Sequence, residues 1–148
     1  MDIITLLTET RNATIPYFDL PLKEHSKSYA DGKWSVKKIL VHLADAEGVL
    51  HERIKRVIAE PRQVIWAFDQ DKFCDNLQYD TFPLHLSKAL FTANRDSVIF
   101  LAERFYTSLG SKEFIHSETG LRTLKDEIEK VAMHNKNHLR QIEKALSC

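Results

Sequence analysis

Two of the seven histidines stand four residues apart in the segment His134-Asn135-Lys136-Asn137-His138. Residues at this spacing lie one turn apart on the same face of a helix, so both imidazoles can reach one ion. A third histidine, His42, lies in another segment with periodic apolar residues. Three protein ligands with one position left open are what catalytic metal sites use. The chemistry that these residues predict is the binding of one divalent metal ion.

The helix faces that carry these histidines decide whether the imidazoles can meet. With about 100° per residue, His138 lies roughly 20° from the centre of the apolar stripe of its segment, and His134 roughly 60°. His42 lies about 60° from the centre of the stripe that contains Ile39. All three are therefore predicted to face the core. The alternative at each position is a neutral core imidazole bonded to a backbone carbonyl, which the spacing leaves open.

The remaining histidines are predicted to have no role in metal binding. His51-Glu52 begins an HExxH motif, but Lys55 stands where that motif needs its second histidine. His25 and His85 are predicted to be surface groups. The three histidines that face the core thus remain the candidates for a site.

Four amphipathic helices are predicted to position these groups, and they cover residues 2–15, 35–60, 83–109 and 123–146. Ser35 and Thr123 are the predicted N-caps, because their short polar side chains can accept a hydrogen bond from the first turn. Pro61 and Gly110 are the predicted ends of the second and third helices. The predicted fold class is all-α, a four-helix bundle in a single domain of residues 1–148.

The connections between the predicted helices differ in length. Residues 61–82 are too many for a simple turn, and they are predicted to form a long crossover that lets two consecutive helices run parallel. Residues 16–34 are predicted to be irregular, since Pro16 is expected to end the first helix. No segment has the pattern of a convincing strand.

Composition and charge exclude several classes of protein. The chain has 21 basic and 21 acidic residues, and the two signs are mixed, so we expect no nucleic acid partner. The start carries an acid where a secretion signal has bases, and no long apolar run is present, so we expect a cytoplasmic protein without a membrane anchor. Cys74 and Cys148 are expected to be free thiols.

Two segments resemble the DinB/YfiT-like superfamily. In Trp34–Glu47 a tryptophan precedes a helix whose second turn carries a histidine followed by Leu-Ala-Asp, and His134–Glu143 is similar to the second metal motif of the family. The resemblance implies a four-helix bundle with a long crossover, in which His42, His134 and His138 bind one divalent metal ion, zinc or nickel. It also implies a homodimer.

The resemblance leaves two reactions open. A transferase of this family activates a low-molecular-weight thiol such as bacillithiol, because a bound metal lowers the pKa of the sulfur. A hydrolase uses the same ion to activate water against a small-molecule substrate. A non-catalytic protein that the metal stabilises, a binding or stress-response protein, is the third alternative.

The charged residues near the predicted site bear on this choice. Arg53, Asp69 and Asp71 are predicted to line the pocket for a substrate or thiol. Asp45 and Glu47 are predicted to point away from the apolar stripe or to lie at its far edge, so no obvious inward acid accompanies the histidines. Since a hydrolase needs a group that moves a proton, this absence favours the thiol transferase.

Overall fold

The computed structural model describes residues 1–60 and 62–148, which form a bundle of helices with a small sheet at one end. The long helices are α1 (Ile3–Thr14), α3 (Val36–Ala59), α5 (Leu84–Phe105) and α6 (Leu124–Leu146). Shorter pieces are a 3₁₀ helix (Ile15–Asp19), α2 (Leu22–His25) and α4 (Gln70–Asn76). The predicted helical bundle is confirmed. Among these described residues, no helix combines the length and apolar character needed to span a membrane.

The two predicted N-caps begin the helices that carry the candidate histidines. Ser35 accepts a hydrogen bond from the amide of Lys38 at 3.2 Å and begins α3. Thr123 accepts from the amide of Asp126 at 3.2 Å, and the Asp126 carboxylate accepts from the Thr123 amide at 2.8 Å. This reciprocal capping box fixes the start of α6. The predicted stop at Pro61 lies outside the described residues.

The predicted end of the third helix is wrong. α5 ends at Phe105 rather than Leu109, and turns lead from there to Gly110, where a Cβ would collide with the carbonyl oxygen of Tyr106. The predicted end of the first helix before Pro16 is confirmed, since α1 stops at Thr14; Pro16 lies in the first turn of the 3₁₀ helix that follows, where its missing N–H leaves no bond unmade.

The expectation that no strand is present is also wrong. Strands β1 (Val64–Ile65), β2 (Glu113–His116) and β3 (Gly120–Thr123) form a sheet in which β1 is parallel and β3 antiparallel to β2. In β2, Phe114 and His116 are buried while Glu113 and Ile115 are exposed. Strands this short contain too few alternations for their period to stand out in the sequence.

The direction of the helices confirms the predicted crossover. α1 and α3 each pack against both α5 and α6. Glu47 bonds Arg95, and further along both helices His51 bonds Ser97, so α3 and α5 run parallel. The parallel pairing of β1, which follows α3, with β2, which follows α5, places both helix ends at the same end of the bundle. The chain between them must therefore return along the bundle before α5 begins.

A buried ion pair crosses the core between α3 and α5. Arg95 is 0% exposed and donates to both carboxylate oxygens of Glu47, at 2.5 and 2.9 Å. Its other hydrogen bonds go to the carbonyl oxygen of Leu7 at 3.0 Å, to Thr10 at 2.8 Å and to Asn135 at 3.1 Å. The prediction that Glu47 points away from the core is wrong, because a cation from another helix makes its burial tolerable.

One predicted surface histidine is buried as well. His25 has its Nε2 atom 2.8 Å from the carbonyl oxygen of Tyr17, so it is a core imidazole bonded to the backbone. The prediction for this residue is wrong, whereas His85 is exposed as predicted. The burial of His25 comes from α2, a short helix within the region predicted to be irregular.

Candidate metal centre

The three candidate histidines lie together between α3 and α6. The ring centroids of His42, His134 and His138 are 5.0, 4.7 and 4.6 Å apart in pairs. Each ring offers one nitrogen, and these three nitrogens lie within 4.8 Å of one another. The one-turn spacing of His134 and His138 presents both to α3. The structure thus brings together the three histidines that the sequence singled out.

Burial keeps these imidazoles neutral. It lowers the pKa of His42 to about 2, with further lowering from the neighbouring His134 and His138. It also lowers the pKa of His134 to about 3, helped by His138 and nearby cations. The pKa of His138 is lowered by burial, against an opposing hydrogen bond to Gln141. Neutral imidazole is the form that binds a metal ion, so no proton has to be displaced.

The donor set fits a metal ion. His42 Nε2 lies 3.0 Å from His134 Nε2, and His42 Nδ1 is buried without a hydrogen-bond partner among the described residues. Nitrogens that share a zinc ion at about 2.0–2.1 Å lie roughly 3–4 Å apart, close to the spacing of this cluster.

Aromatic and amide side chains surround the cluster. The Trp34 ring lies 5.1 Å from that of His42, and Phe68 stacks on His42 at 6.3 Å with 23° between the planes. His138 Nδ1 lies 2.8 Å from the side-chain oxygen of Gln141. That contact fixes the His138 ring and directs its other nitrogen towards the cluster, as partners of metal-binding histidines do.

A polar pocket of about 310 Å³ borders the cluster at His138. Its walls include Trp34 and Gln141, which also contact the histidines, together with Lys33 and Asp71, which carry opposite charges. Both charged side chains are exposed, so each can reach a ligand from solvent. The pocket therefore suits a small polar molecule.

The three charged residues predicted to line the pocket have different positions. Asp71 lines the pocket beside His138. Asp69 instead caps α4, since its carboxylate accepts from the amides of Asp71 and Lys72 at 3.1 and 3.0 Å. Arg53 faces the core as predicted, but its guanidinium bonds a glutamate of α6 and a backbone carbonyl, about 16 Å along the axis of α3 from His42.

Sequence reasoning missed two side chains that contact the histidines. Gln141 follows His138 by three residues, so the helical spacing could have placed it on the same face. Phe68 lies in the irregular chain between β1 and α4, where no periodicity indicates the direction of a side chain. Contacts made from such segments depend on tertiary structure.

The lowered histidine pKa values predict that the metal-free protein loses stability in acid. Below the ordinary value of 6.5 the unfolded chain binds protons that folded His42 and His134 do not bind. The contribution of the two histidines to the free energy of unfolding is therefore fully present above pH 6.5. It decreases as the pH falls towards their pKa values in the folded protein, by at most about 1.4 kcal/mol per pH unit for each histidine. Urea unfolding at pH 7.5 and pH 5.0 measures the loss.

Two variants separate this effect from other titrating groups. His42→Gln is expected to reduce the dependence of stability on pH, because one proton fewer is taken up on unfolding. His85→Ala, at an exposed histidine, is expected to keep the native dependence. If the stability of His42→Gln depended on pH as strongly as that of the native protein, His42 would not be a neutral, buried imidazole.

The fold and the site together define a helical-bundle protein with a three-histidine centre. The profile of the DinB superfamily matches residues 6–142, and the chain belongs to this superfamily. Two similar proteins from Oceanobacillus iheyensis, each 28% identical, align over 126 and 124 residues, 84% of this chain and 72% of theirs. One from Halalkalibacterium halodurans is 20% identical over 98% of this chain and 82% of its own. All three are provisionally named metal-dependent hydrolases.

A solved structure has the same fold. YfiT from Bacillus subtilis, described as a probable metal-dependent hydrolase with an unusual four-helix bundle topology, superposes with a TM-score of 0.87. The alignment covers 97% of this chain and 83% of YfiT, at 21% identity. At that identity the likeness establishes the four-helix bundle architecture.

Proposed function

We propose that this chain binds one divalent metal ion through His42, His134 and His138 and catalyses a reaction of a small polar molecule in the adjoining pocket. The observation that carries the proposal is the convergence of three neutral imidazoles, one of which, His138, lines that pocket. The provisional names of the relatives support it. Zinc or nickel is the proposed ion, since imidazole suits both.

The side chains around the histidines have distinct roles in this proposal. When bound, the metal supplies Lewis acidity that lowers the pKa of a nucleophile. Gln141 orients His138, while Trp34 and Phe68 keep water away from one side of the cluster. Exclusion of water strengthens every electrostatic interaction within such a site.

Hydrolysis is the reaction that we propose first. A hydrolase needs a group that moves a proton, and Asp71 on the pocket wall offers a carboxylate for this step. A carboxylate in this position can accept a proton from the attacking water and return it to the leaving group, the two tasks of a general base and acid. Asp71 is the residue that we assign to this role.

Transfer of a low-molecular-weight thiol is the second candidate. The observation that favours it is the polar pocket wall, where the Lys33 ammonium and the side-chain amides of Gln70 and Gln141 are available. An ammonium and amides match the carboxylates and hydroxyls that a bacillithiol-like thiol carries. In this reaction the pocket binds the body of the thiol and the histidine cluster lies beside its sulfur.

One set of assays distinguishes the two reactions. The protein, loaded in turn with zinc, nickel and manganese, is tested with chromogenic esters and amides, and separately with a bimane electrophile and a panel of thiols. If hydrolysis is the activity, Asp71→Asn is expected to lower kcat by about 10²–10⁴-fold with little change in KM, because a general base is lost. If thiol transfer is the activity, Lys33→Glu is expected to raise the KM for the thiol.

Asp75→Asn serves as the matched control, because Asp75 is an exposed acid on the same short helix, α4. Its kinetic constants should equal those of the native protein. Metal-dependent thermal stabilisation without turnover of any ester, amide or thiol would contradict both reactions and leave the non-catalytic alternative. The homodimer and the cytoplasmic location stay predictions.

A further inference from the structure

The Ile65–Phe68 segment begins at the last residue of β1 and leads towards α4, and two polar contacts near its centre hold it to the bundle. Arg53 Nη2 donates to the carbonyl oxygen of Trp66 at 2.8 Å. The Ala67 amide donates to the Ser117 hydroxyl at 2.8 Å. One contact comes from α3 and the other from the turn that follows β2. Together they hold the carbonyl oxygen and the amide N–H of one peptide group, the one that joins Trp66 to Ala67.

The far end of this segment contacts the histidine cluster. Phe68 stacks on His42 and makes an edge contact with Phe73 of α4, at 4.9 Å between ring centroids. Asp69, the next residue, caps α4. The position of the Phe68 ring over His42 therefore depends on where the preceding backbone is held.

Apolar packing does not hold the centre of the segment. Ile65 is buried at its start, but the Trp66 side chain is 76% exposed. A backbone whose side chain faces solvent is placed by its hydrogen bonds. The contacts from Arg53 and from the Ser117 hydroxyl serve this purpose at Trp66 and Ala67, while the Ser117 amide donates to the Ile65 carbonyl oxygen at 2.8 Å at the start of the segment.

Arg53 is suited to this task by its shape and its burial. It is 3% exposed, and its Nη1 donates to Glu127 Oε1 of α6 at 3.3 Å while Nη2 bonds the Trp66 carbonyl. The planar fork of a guanidinium can serve two acceptors in fixed directions, which the single ammonium of lysine cannot. Arg53 thus ties α3 and α6, the two helices that carry the histidines, to the Ile65–Phe68 segment.

We infer that Arg53 is a positioning residue, which sets the Phe68 ring against His42 by holding the Trp66 carbonyl while it is paired with Glu127. The inference rests on the proposed function only in treating His42 as a metal ligand. The geometry itself exists without a metal and can be measured without one.

The first experiment uses the metal-free protein and follows the ring-proton signals of His42 by NMR, since a stacked phenyl ring shifts them. Phe68→Leu defines the shift that is lost with the ring. Arg53→Lys is expected to move the His42 signals towards the Phe68→Leu position and to speed hydrogen exchange of the Ala67 amide by about tenfold or more, as local opening becomes easier. Arg56→Lys, on the same helix in an exposed pair with Glu52, is the matched control.

The second experiment loads the same proteins with cobalt(II), whose visible spectrum reports the geometry of its ligands. Arg53→Lys is expected to weaken cobalt binding by about 10–100-fold, as loss of a partner outside the ligand shell does, and to change the spectrum. Ser117→Ala removes the other anchor without touching a buried charge, and is expected to have the same effects in weaker form. It carries the test if Arg53→Lys does not fold.

The outcomes separate this inference from the proposed function. Unchanged His42 signals and Ala67 exchange in Arg53→Lys, even with a lower melting temperature, would show that Arg53 only stabilises the core and would overturn the inference. Shifted signals in the metal-free variants support it. If the native protein then binds no cobalt, the metal proposal fails while the positioning of Phe68 by Arg53 stands.

Discussion

His138→Ala is expected to reduce the bound metal from about one equivalent per chain to a trace. Removal of one of the three ligands leaves two nitrogens for the metal. The affinity for the metal should therefore fall by more than the 10–100-fold that follows loss of a residue that contacts only a ligand. Metal analysis of the native protein and the variant measures this difference. Both are purified without a histidine tag and dialysed before analysis.

A matched control isolates the site from other histidines. His85→Ala removes an exposed imidazole of the same type and is expected to keep the native metal content. Addition of zinc, nickel or manganese should raise the melting temperature of the native protein and of this control, because an ion that binds only the folded state stabilises it. If the native protein contains no metal and its melting temperature does not rise, the three histidines are residues of the packed core and not metal ligands.

Glu47→Leu is expected to lower the free energy of unfolding by about 3–5 kcal/mol, because it leaves the fully buried Arg95 without its partner. Urea unfolding measures the change. The double variant Glu47→Leu, Arg95→Met is expected to recover most of the loss, since a buried ion pair replaced by apolar side chains of similar size is often neutral.

An exposed pair on the same helix provides the comparison. Glu52 and Arg56 are one turn apart on the surface of α3, and Glu52→Ala is expected to cost less than about 1 kcal/mol. A cost for Glu47→Leu as small as that for Glu52→Ala would mean that Arg95 finds water or another acceptor in the variant. The assignment of Glu47 as its required partner would then be wrong.

The long helices could be predicted because their signals are local. The apolar period of α3 and α6 recurs over many turns, and Ser35 and Thr123 carry the chemistry of N-caps in single residues. The approach of His134 and His138 follows from helix geometry alone. To predict that His134 and His138 lie close to His42, one further inference was needed, namely that the apolar stripes of α3 and α6 both face the core.

The remaining features depend on partners that a single segment does not reveal. Glu47 is buried because Arg95 reaches it from α5, and a helical wheel drawn on α3 contains no information about that cation. Arg53 could be predicted to face the core, but its two acceptors lie on other elements. Phe68 stands in a segment without a period, so its contact with His42 could not be inferred.

The separation of the site residues along the chain has a consequence for folding kinetics. His42 and His134 are 92 residues apart in sequence. Closing so long a loop has a substantial entropic cost, which is recovered only when non-local helix contacts form. We therefore expect the histidine cluster to form only once α3 and α6 have docked, and an ion held there to slow unfolding more than it speeds folding.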